Sequence, residues 1–288
     1  MAFRKTLAKP VTVSGTALHA GVTVNMTLAP AAANSGVIFR RTDRNVDIPA
    51  RFDLVSETRL GTVIASGDSK VAVIEHLMAA VAGAGIDDLL VTLDGPEPPI
   101  LDGDALSYLT LLDDAGIVDS AAPRRAIHVL KAVRVADGDA SAALVPASRA
   151  SYRLEIDFPV IGRQAFELDF TPQIFRQAIA PARTFGFLKE LEGLHAMGLA
   201  RGASLQNTLA LDETGLANRE LQRFDDEYVR HKILDAIGDM ALAGAPLLAR
   251  FEGVKSGHGL NNRLLRALFA EPENYKFVDF PDAATLVL

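Results

Sequence analysis

Three residues recur at every fourth position in V-R-H-K-I-L-D-A-I-G-D-M, residues 229–240: His231, Asp235 and Asp239. On a helix these three share one face. A His and an Asp four apart can reach one metal ion, although the same spacing also makes an ordinary surface pair. Val229, Ile233, Ile237 and Met240 mark a buried stripe beside the row. A carboxylate next to such a stripe needs a cation or hydrogen bonds to offset its desolvation. Glu75 and His76 stand together at the start of a second apolar helical stretch. Glu75 reads either as an acid favoured by the helix dipole or as a general base beside a ligand. His76, His231 and Asp235 together would leave zinc's fourth position to a water, whose pKa then falls to about 7. His258, flanked by glycines in K-S-G-H-G, reads as a turn histidine or, beside a hydrolytic metal, as a general acid. His128 and His195 read as packing or surface residues.

These side chains are far apart in sequence, so the elements must bring them together. Val22, Val24, Met26 and Leu28 alternate with polar residues, which is strand periodicity. G-V-I-F-R-R, R-L-G-T-V-I-A and D-D-L-L-V-T-L-D-G read as further strands. V-I-E-H-L-M-A-A-V-A-G-A-G and D-A-L-S-Y-L-T-L-L-D-D-A-G read as helices ending at glycine. V-D-S-A-A-P-R-R, residues 118–125, has linker composition. Beyond it, I-H-V-L-K-A-V-R-V and A-S-A-A-L-V-P flank A-D-G-D as a hairpin, and Y-R-L-E-I-D-F with Q-A-F-E-L-D-F suggests another. F-G-F-L-K-E-L-E-G-L-H-A-M-G reads as an amphipathic helix and S-L-Q-N-T-L-A-L as a strand. The order helix, strand, glycine-bearing loop, helix occurs once after Glu75 and again after His231. The expectation is an α+β fold of two domains of related topology, residues 1–120 and 121–288, with mostly antiparallel sheets.

With 288 residues, 49% of them hydrophobic, the chain can bury a sizeable core without cross-links. It has no cysteine, which excludes disulfides and thiolate metal sites and leaves His and carboxylates as ligands. A net charge of -7 argues against a broad nucleic-acid surface. The apolar windows are shorter than a bilayer span, and no signal-peptide core follows the basic N-terminus. A soluble cytoplasmic protein is expected. There is no H-E-x-x-H, and Gly257-x-Gly259 continues as Leu-Asn-Asn, matching neither common phosphate-binding pattern.

Taken together, S-G-T-A-L-H-A-G, I-E-H-L-M-A-A-V-A-G-A-G-I-D-D-L, E-P-P-I-L-D-G, A-R-T-F-G-F, F-D-D-E-Y-V-R-H-K-I-L-D-A-I-G-D and K-S-G-H-G-L-N-N span almost the whole chain in order. The set resembles the zinc-dependent UDP-3-O-acyl-N-acetylglucosamine deacetylases of Gram-negative bacteria. The resemblance implies two domains with the active site between them, and the committed step of lipid A biosynthesis. It implies one zinc ion per chain on His76, His231 and Asp235, with iron(II) suited to similar sites. Glu75 is then the base for the attacking water, His258 the general acid, Asp239 its orienting carboxylate, and Thr184 a holder of the oxyanion. Lys232 would serve the nucleotide sugar, its side chain pointing off the row. An apolar passage for the acyl chain would involve Phe185, Leu191 and G-L-A-R-G-A-S-L from Gly198, including Gly202 and Ser204. Where many members carry a second glycine this chain has Ala203, which narrows the passage. His19 matches a family motif but takes no chemical step. The implied substrate is a UDP-linked acylated glucosamine; no nucleic acid and no transmembrane segment are expected, and the chain is expected to be a monomer.

Two other readings make different demands. A zinc amidohydrolase on another acylated amine or nucleotide sugar would use the same metal residues. A metal-stabilised binding protein would close its metal with four ligands and need no base.

Overall fold

Alternation builds the first sheet. In the strand Thr23–Pro30, Val24, Met26 and Leu28 are buried and the residues between them are not, as period-two side chains require. A computed structural model describes residues 2–280 of the chain; the tail D-A-A-T-L-V-L lies outside the described residues. Thr23–Pro30 sits second in a five-stranded sheet of order Val11–Thr16, Thr23–Pro30, Leu89–Leu93, Val37–Arg41, Val46–Pro49. Only Val37–Arg41 against Leu89–Leu93 is parallel there. Helix α1, Glu75–Ala84, ends where Gly85 takes φ 71, a left-handed cap that costs glycine nothing. Helix α2 spans Leu106–Ala115.

A seven-stranded sheet draws its strands from residues 125–279. Both expected hairpins are present: Val133–Asp137 with Ala140–Pro146, and Ser151–Phe158 with Gly162–Asp169. Leu247–Val254 is the central strand. It pairs antiparallel with Ala140–Pro146, and parallel with both Arg125–Val129 and Ser151–Phe158. The other α-helices among the described residues are α3 (Pro172–Ile174), α4 (Leu188–Ala196), α5 (Glu227–Ala241) and α6 (His258–Ala270). The result is an α+β fold with mostly antiparallel sheets, as expected.

The packing that positions the site is α1 against α5. Gly238 makes it possible, because a Cβ there would lie 2.0 Å from the carbonyl oxygen of Glu75. The Glu75–His76 end of α1 is thereby laid on the row of α5. That helix is buried on nearly every side, including Glu227, His231, Asp235 and Asp239, so its polar groups must find partners inside the protein.

Several sequence expectations need correction. Residues 118–123 are no free linker: Ile117–Pro123 is a strand paired antiparallel with Phe3–Leu7, a two-stranded ribbon whose mixed composition reflects one exposed face. The run from Ile127 is two strands, broken between Val129 and Val133. In R-L-G-T-V-I-A only Val63 onward is strand, because Gly61 at φ 142 turns the chain away. Phe185–Phe187 is a strand parallel to Leu209–Leu211, and α4 begins only at Leu188. The aromatic rings decide this: Phe185 and Phe187 pack on Phe158 with centroids 5.6 and 5.8 Å away. Residues 204–208 are not strand, and 205–207 form a turn before Leu209. Helix α6 starts at His258, inside the stretch read as loop. Among the described residues, no helix is long and apolar enough to cross a membrane.

Candidate active site

The row on α5 meets α1 at three atoms. His76 Nε2 lies 3.6 Å and His231 Nε2 lies 3.4 Å from Asp235 Oδ1. One donor atom from each of the three residues falls within 4.8 Å of the others. The two rings stand edge to face, 4.8 Å between centroids. These contacts are within ion-pair distance, yet they are not ion pairs. Burial, with His231 alongside, pushes His76 down to about 3. Burial also lowers His231, outweighing the Asp235 charge. Both imidazoles are therefore neutral at pH 7.

His231 Nδ1 lies 3.1 Å from the Ala182 carbonyl oxygen, so it carries the ring proton and donates it there. That leaves Nε2 of His231 as a lone pair. Among the described residues, buried Asp235 Oδ1 has no hydrogen-bond donor, and His76 Nδ1 likewise has no partner. Lone pairs facing one another in a buried site repel unless a cation lies among them. Two imidazoles and one carboxylate fit a divalent metal of the zinc type. The Ala182 carbonyl fixes the His231 tautomer, as outer partners of metal ligands do.

Lys232 corrects the sequence expectation. Its Nζ turns onto the row and donates to Asp235 Oδ2 at 2.6 Å. Burial pulls this ammonium down, but the Asp235 charge and hydrogen bond outweigh it, and the Lys232 pKa is raised. In turn burial would raise Asp235, yet Lys232, and the histidines once protonated, hold it well below the usual carboxylate range.

One helical turn further on, Asp239 Oδ2 accepts from His258 Nδ1 at 2.9 Å and from Asn261 Nδ2 at 2.8 Å. Burial pulls His258 down, but the carboxylates of Asp239 and Glu75 and the hydrogen bond to Asp239 bring it up to about 9. His258 is a cation at neutral pH. Its Nε2 faces Glu75 Oε1 at 3.8 Å. Burial pushes Glu75 up to about 7, against the lowering effect of the His258 cation. Two titratable groups with displaced pKa values thus face each other beside the three candidate metal donors, an arrangement suited to acid–base chemistry.

All of this opens on one cavity of about 800 Å³. Glu75, His76, Thr184, His231, Lys232, Asp235 and His258 line its polar end; Asp239 is not among the lining residues and stands behind His258. Phe185, Phe187, Leu188, Leu191, Leu194 and Leu205 make much of the remainder apolar, with Ala203 and Ser204 in the wall. Gly202 is not a lining residue. It packs behind the wall, where a Cβ would lie 2.2 Å from the Ala17 carbonyl oxygen.

Other residues hold this arrangement without having stood out in the sequence. Glu227 is fully buried, and its carboxylate accepts the backbone N–H of Arg183 at 2.8 Å and of Phe224 at 3.1 Å. It fixes the chain just before Thr184. His19 Nε2 donates to the Leu60 carbonyl at 2.9 Å, and its Nδ1 accepts from Ala200 N–H at 3.3 Å. The His19 and Ala20 amides donate in turn to the buried carboxylate of Glu97. His19 thus joins two stretches of the cavity wall. Thr62 lies beneath Glu75, donating its amide to Oε2 at 2.9 Å.

Comparison with known proteins places this geometry in a family. The family model described as LpxC, UDP-3-O-acyl N-acetylglycosamine deacetylase, matches residues 4–270. The chain belongs to the UDP-3-O-acyl-N-acetylglucosamine deacetylase family. A relative of that name from Myxococcus xanthus (strain DK1622) is 46% identical over 279 residues, covering 96% of this chain and 89% of its own. One from Pasteurella multocida (strain Pm70) is 44% identical over 286 residues, 97% of this chain and 94% of its own. A third, from Wolinella succinogenes, is 42% identical over 286 residues, 99% and 96%. The matched residues 4–270 span the five-stranded sheet, all but the last strand of the seven-stranded sheet, and every candidate residue named above.

Proposed function

We propose that this chain hydrolyses the N-acetyl group of UDP-3-O-acyl-N-acetylglucosamine, releasing acetate and leaving the free amine, the committed step of lipid A biosynthesis. The observation that carries the reading is the opposition of Glu75 Oε1 and His258 Nε2, 3.8 Å apart, beside the convergent donors of His76, His231 and Asp235. The names of the relatives supply the substrate. His76, His231 and Asp235 would hold one zinc ion, and iron(II) suits the same donors. When bound, the metal supplies Lewis acidity, polarising the amide carbonyl and acidifying a water at neutral pH.

The rest of the chemistry falls to the chain. Glu75, ionised above about 7, takes a proton from the attacking water. Thr184, in the cavity wall, donates its hydroxyl to the oxyanion that develops on the carbonyl oxygen. His258 delivers its Nε2 proton to the departing nitrogen, since an unprotonated amide nitrogen leaves poorly. Asp239, on Nδ1, orients that ring and favours its charged form. Lys232 stands in the same wall as a positive charge for the nucleotide sugar, in addition to its pairing with Asp235. Phe185, Leu191 and Ser204 contact the acyl chain, and Gly202 lets their loop close on residues 16–17.

Residues 1–120 and 121–288 are the two domains of this reading; the division of strands between the two larger sheets supports it, while the boundary itself falls inside the strand Ile117–Pro123. The reading also takes the enzyme as a cytoplasmic monomer, to be checked by fractionation and sedimentation. The deciding experiment is acetate release by purified, metal-analysed protein from UDP-N-acetylglucosamine with and without the 3-O-acyl group. A kcat/KM that depends strongly on the acyl group is expected. Equal values for the two substrates would favour an amidohydrolase of another acylated amine or nucleotide sugar. Full activity with no divalent metal would sink the mechanism.

A further inference from the structure

Thr62 lies one residue before the strand Val63–Ser66 and is 1% exposed. Its polar atoms go to the groups at the centre of the site. The amide donates to Glu75 Oε2 at 2.9 Å. The hydroxyl donates to Asp239 Oδ1 at 2.5 Å. The same oxygen lies 3.3 Å from His258 Nδ1 and, with its proton committed to Asp239, can only accept there. The carbonyl accepts from Ile74 N–H, the residue before Glu75, at 3.4 Å. Gly61 precedes it at φ 142, and a Cβ at that position would lie 2.9 Å from Glu75 Oε1. The 61–62 peptide therefore lies directly against the Glu75 carboxylate.

The balance of donors on Asp239 shows what the hydroxyl is for. Oδ2 receives His258 and Asn261, whereas among the described residues Oδ1 receives Thr62. Without the hydroxyl, Oδ1 would be a buried acceptor with no donor, and the carboxylate would gain a reason to rotate. His258 would turn with it, and its Nε2 would leave its place opposite Glu75. Thr62 grips the base through the backbone and the acid's carboxylate through the side chain, so one rigid residue sets their separation.

We infer that Thr62 is a positioning residue of the deacetylation, holding Glu75 with its amide and, through Asp239, holding His258 with its hydroxyl. The inference rests on the roles proposed above for Glu75 and His258. It assigns Thr62 no contact with substrate, so the effect of losing the hydroxyl belongs in kcat and not in KM.

The test compares wild type, Thr62→Ser and Thr62→Val, with kcat expressed per bound metal. Thr62→Val is expected to lower kcat roughly 10- to 100-fold, as small misplacements of catalytic groups do. Its KM should stay within about twofold of wild type, and Thr62→Ser should restore kcat. In an Asp239→Asn background the Val substitution should cost less than about twofold, because the hydroxyl acts through Asp239. A merely structural role would lower the melting temperature or metal content and leave kcat per metal unchanged; that result overturns the inference. So does a Thr62→Ser as slow as Thr62→Val. Should the valine fail to fold, Thr62→Cys carries the test. A kcat below that of Ser, from the weaker S–H donor, supports the inference, and one equal to Ser overturns it. An active wild type with an unimpaired Thr62→Val refutes this role alone, whereas a wild type with no deacetylase activity refutes the proposed function and this role together.

Discussion

Lys232 Nζ donates to Asp235 Oδ2 at 2.6 Å while Oδ1 of the same carboxylate faces His76 and His231. One buried aspartate is thus shared between an internal cation and a metal-binding set. In the metal-free protein Lys232 is the hydrogen-bonded counter-charge, with the His258 cation 4.0 Å from the same oxygen; the loaded protein has a further one. Lys232→Met should therefore destabilise the metal-free protein by about 3–5 kcal/mol, the usual effect of stranding a buried charge. Zinc should recover much of that loss, because the cation takes over as partner of Asp235. Melting temperatures with chelator and with zinc check this. The expectation fails if zinc raises the variant's melting temperature no more than it raises that of wild type.

The pH dependence follows from Glu75 and His258. A base must be deprotonated, so activity rises as pH passes the Glu75 value of about 7. An acid must be protonated, so activity falls as pH passes the His258 value of about 9. The profile of kcat/KM is a bell with its maximum between these limbs. A divalent cation beside both groups adds positive charge and moves both limbs to lower pH. The metal-free protein isolates the second value: His258 should titrate near 9 by NMR. A midpoint at the ordinary histidine value would mean that Asp239 does not hold it as described.

Glu75→Gln keeps a carbonyl oxygen to accept the Thr62 amide but cannot take a proton. Acetate release should fall roughly 10²–10⁴-fold with the fold, metal content and KM retained. Metal analysis and steady-state kinetics on one preparation decide it. An active Glu75→Gln would remove the base from the mechanism and favour a binding role for the metal.

The site was legible in the sequence where one element carries it. His231, Asp235 and Asp239 share a helix face because their spacing is four, and all three are buried on α5. Glu75 and His76 were legible as a pair, but nothing local says which helix they meet; the α1–α5 contact is a tertiary fact set by Gly238. Thr62 was invisible because its partner Asp239 is 177 residues away and its second bond uses the backbone, which every residue has. Glu227 escaped for the same reason: an acid in a helix's first turn ordinarily faces solvent and the helix dipole, not amides 44 residues earlier. The extended look of R-L-G-T and the loop look of K-S-G-H-G misled for opposite reasons. The first is a turn around a carboxylate, and the second is already the start of α6.

Gly238 offers a test of the packing itself. In an open helix, Gly→Ala ordinarily stabilises by roughly 0.5–1 kcal/mol, because alanine restricts the unfolded chain and suits the helix. Here the added methyl would sit 2.0 Å from the Glu75 carbonyl oxygen and 2.8 Å from its carbonyl carbon. Those are backbone atoms of a packed helix and cannot swing aside, so α1 and α5 must separate. Gly238→Ala should thus reverse the usual sign and destabilise by roughly 1–3 kcal/mol or more. The separation also displaces the pair Glu75–His76 from Asp235, so zinc affinity should fall along with stability. Ala236→Gly, on the same helix and also buried, serves as the control. It should cost about 1 kcal/mol of helix propensity, plus its lost methyl contacts, and leave the metal affinity nearly unchanged. Denaturant unfolding and chelator competition separate the two outcomes. A Gly238→Ala protein as stable as wild type, with wild-type zinc affinity, would mean that the close approach of the two helices does not set the metal geometry.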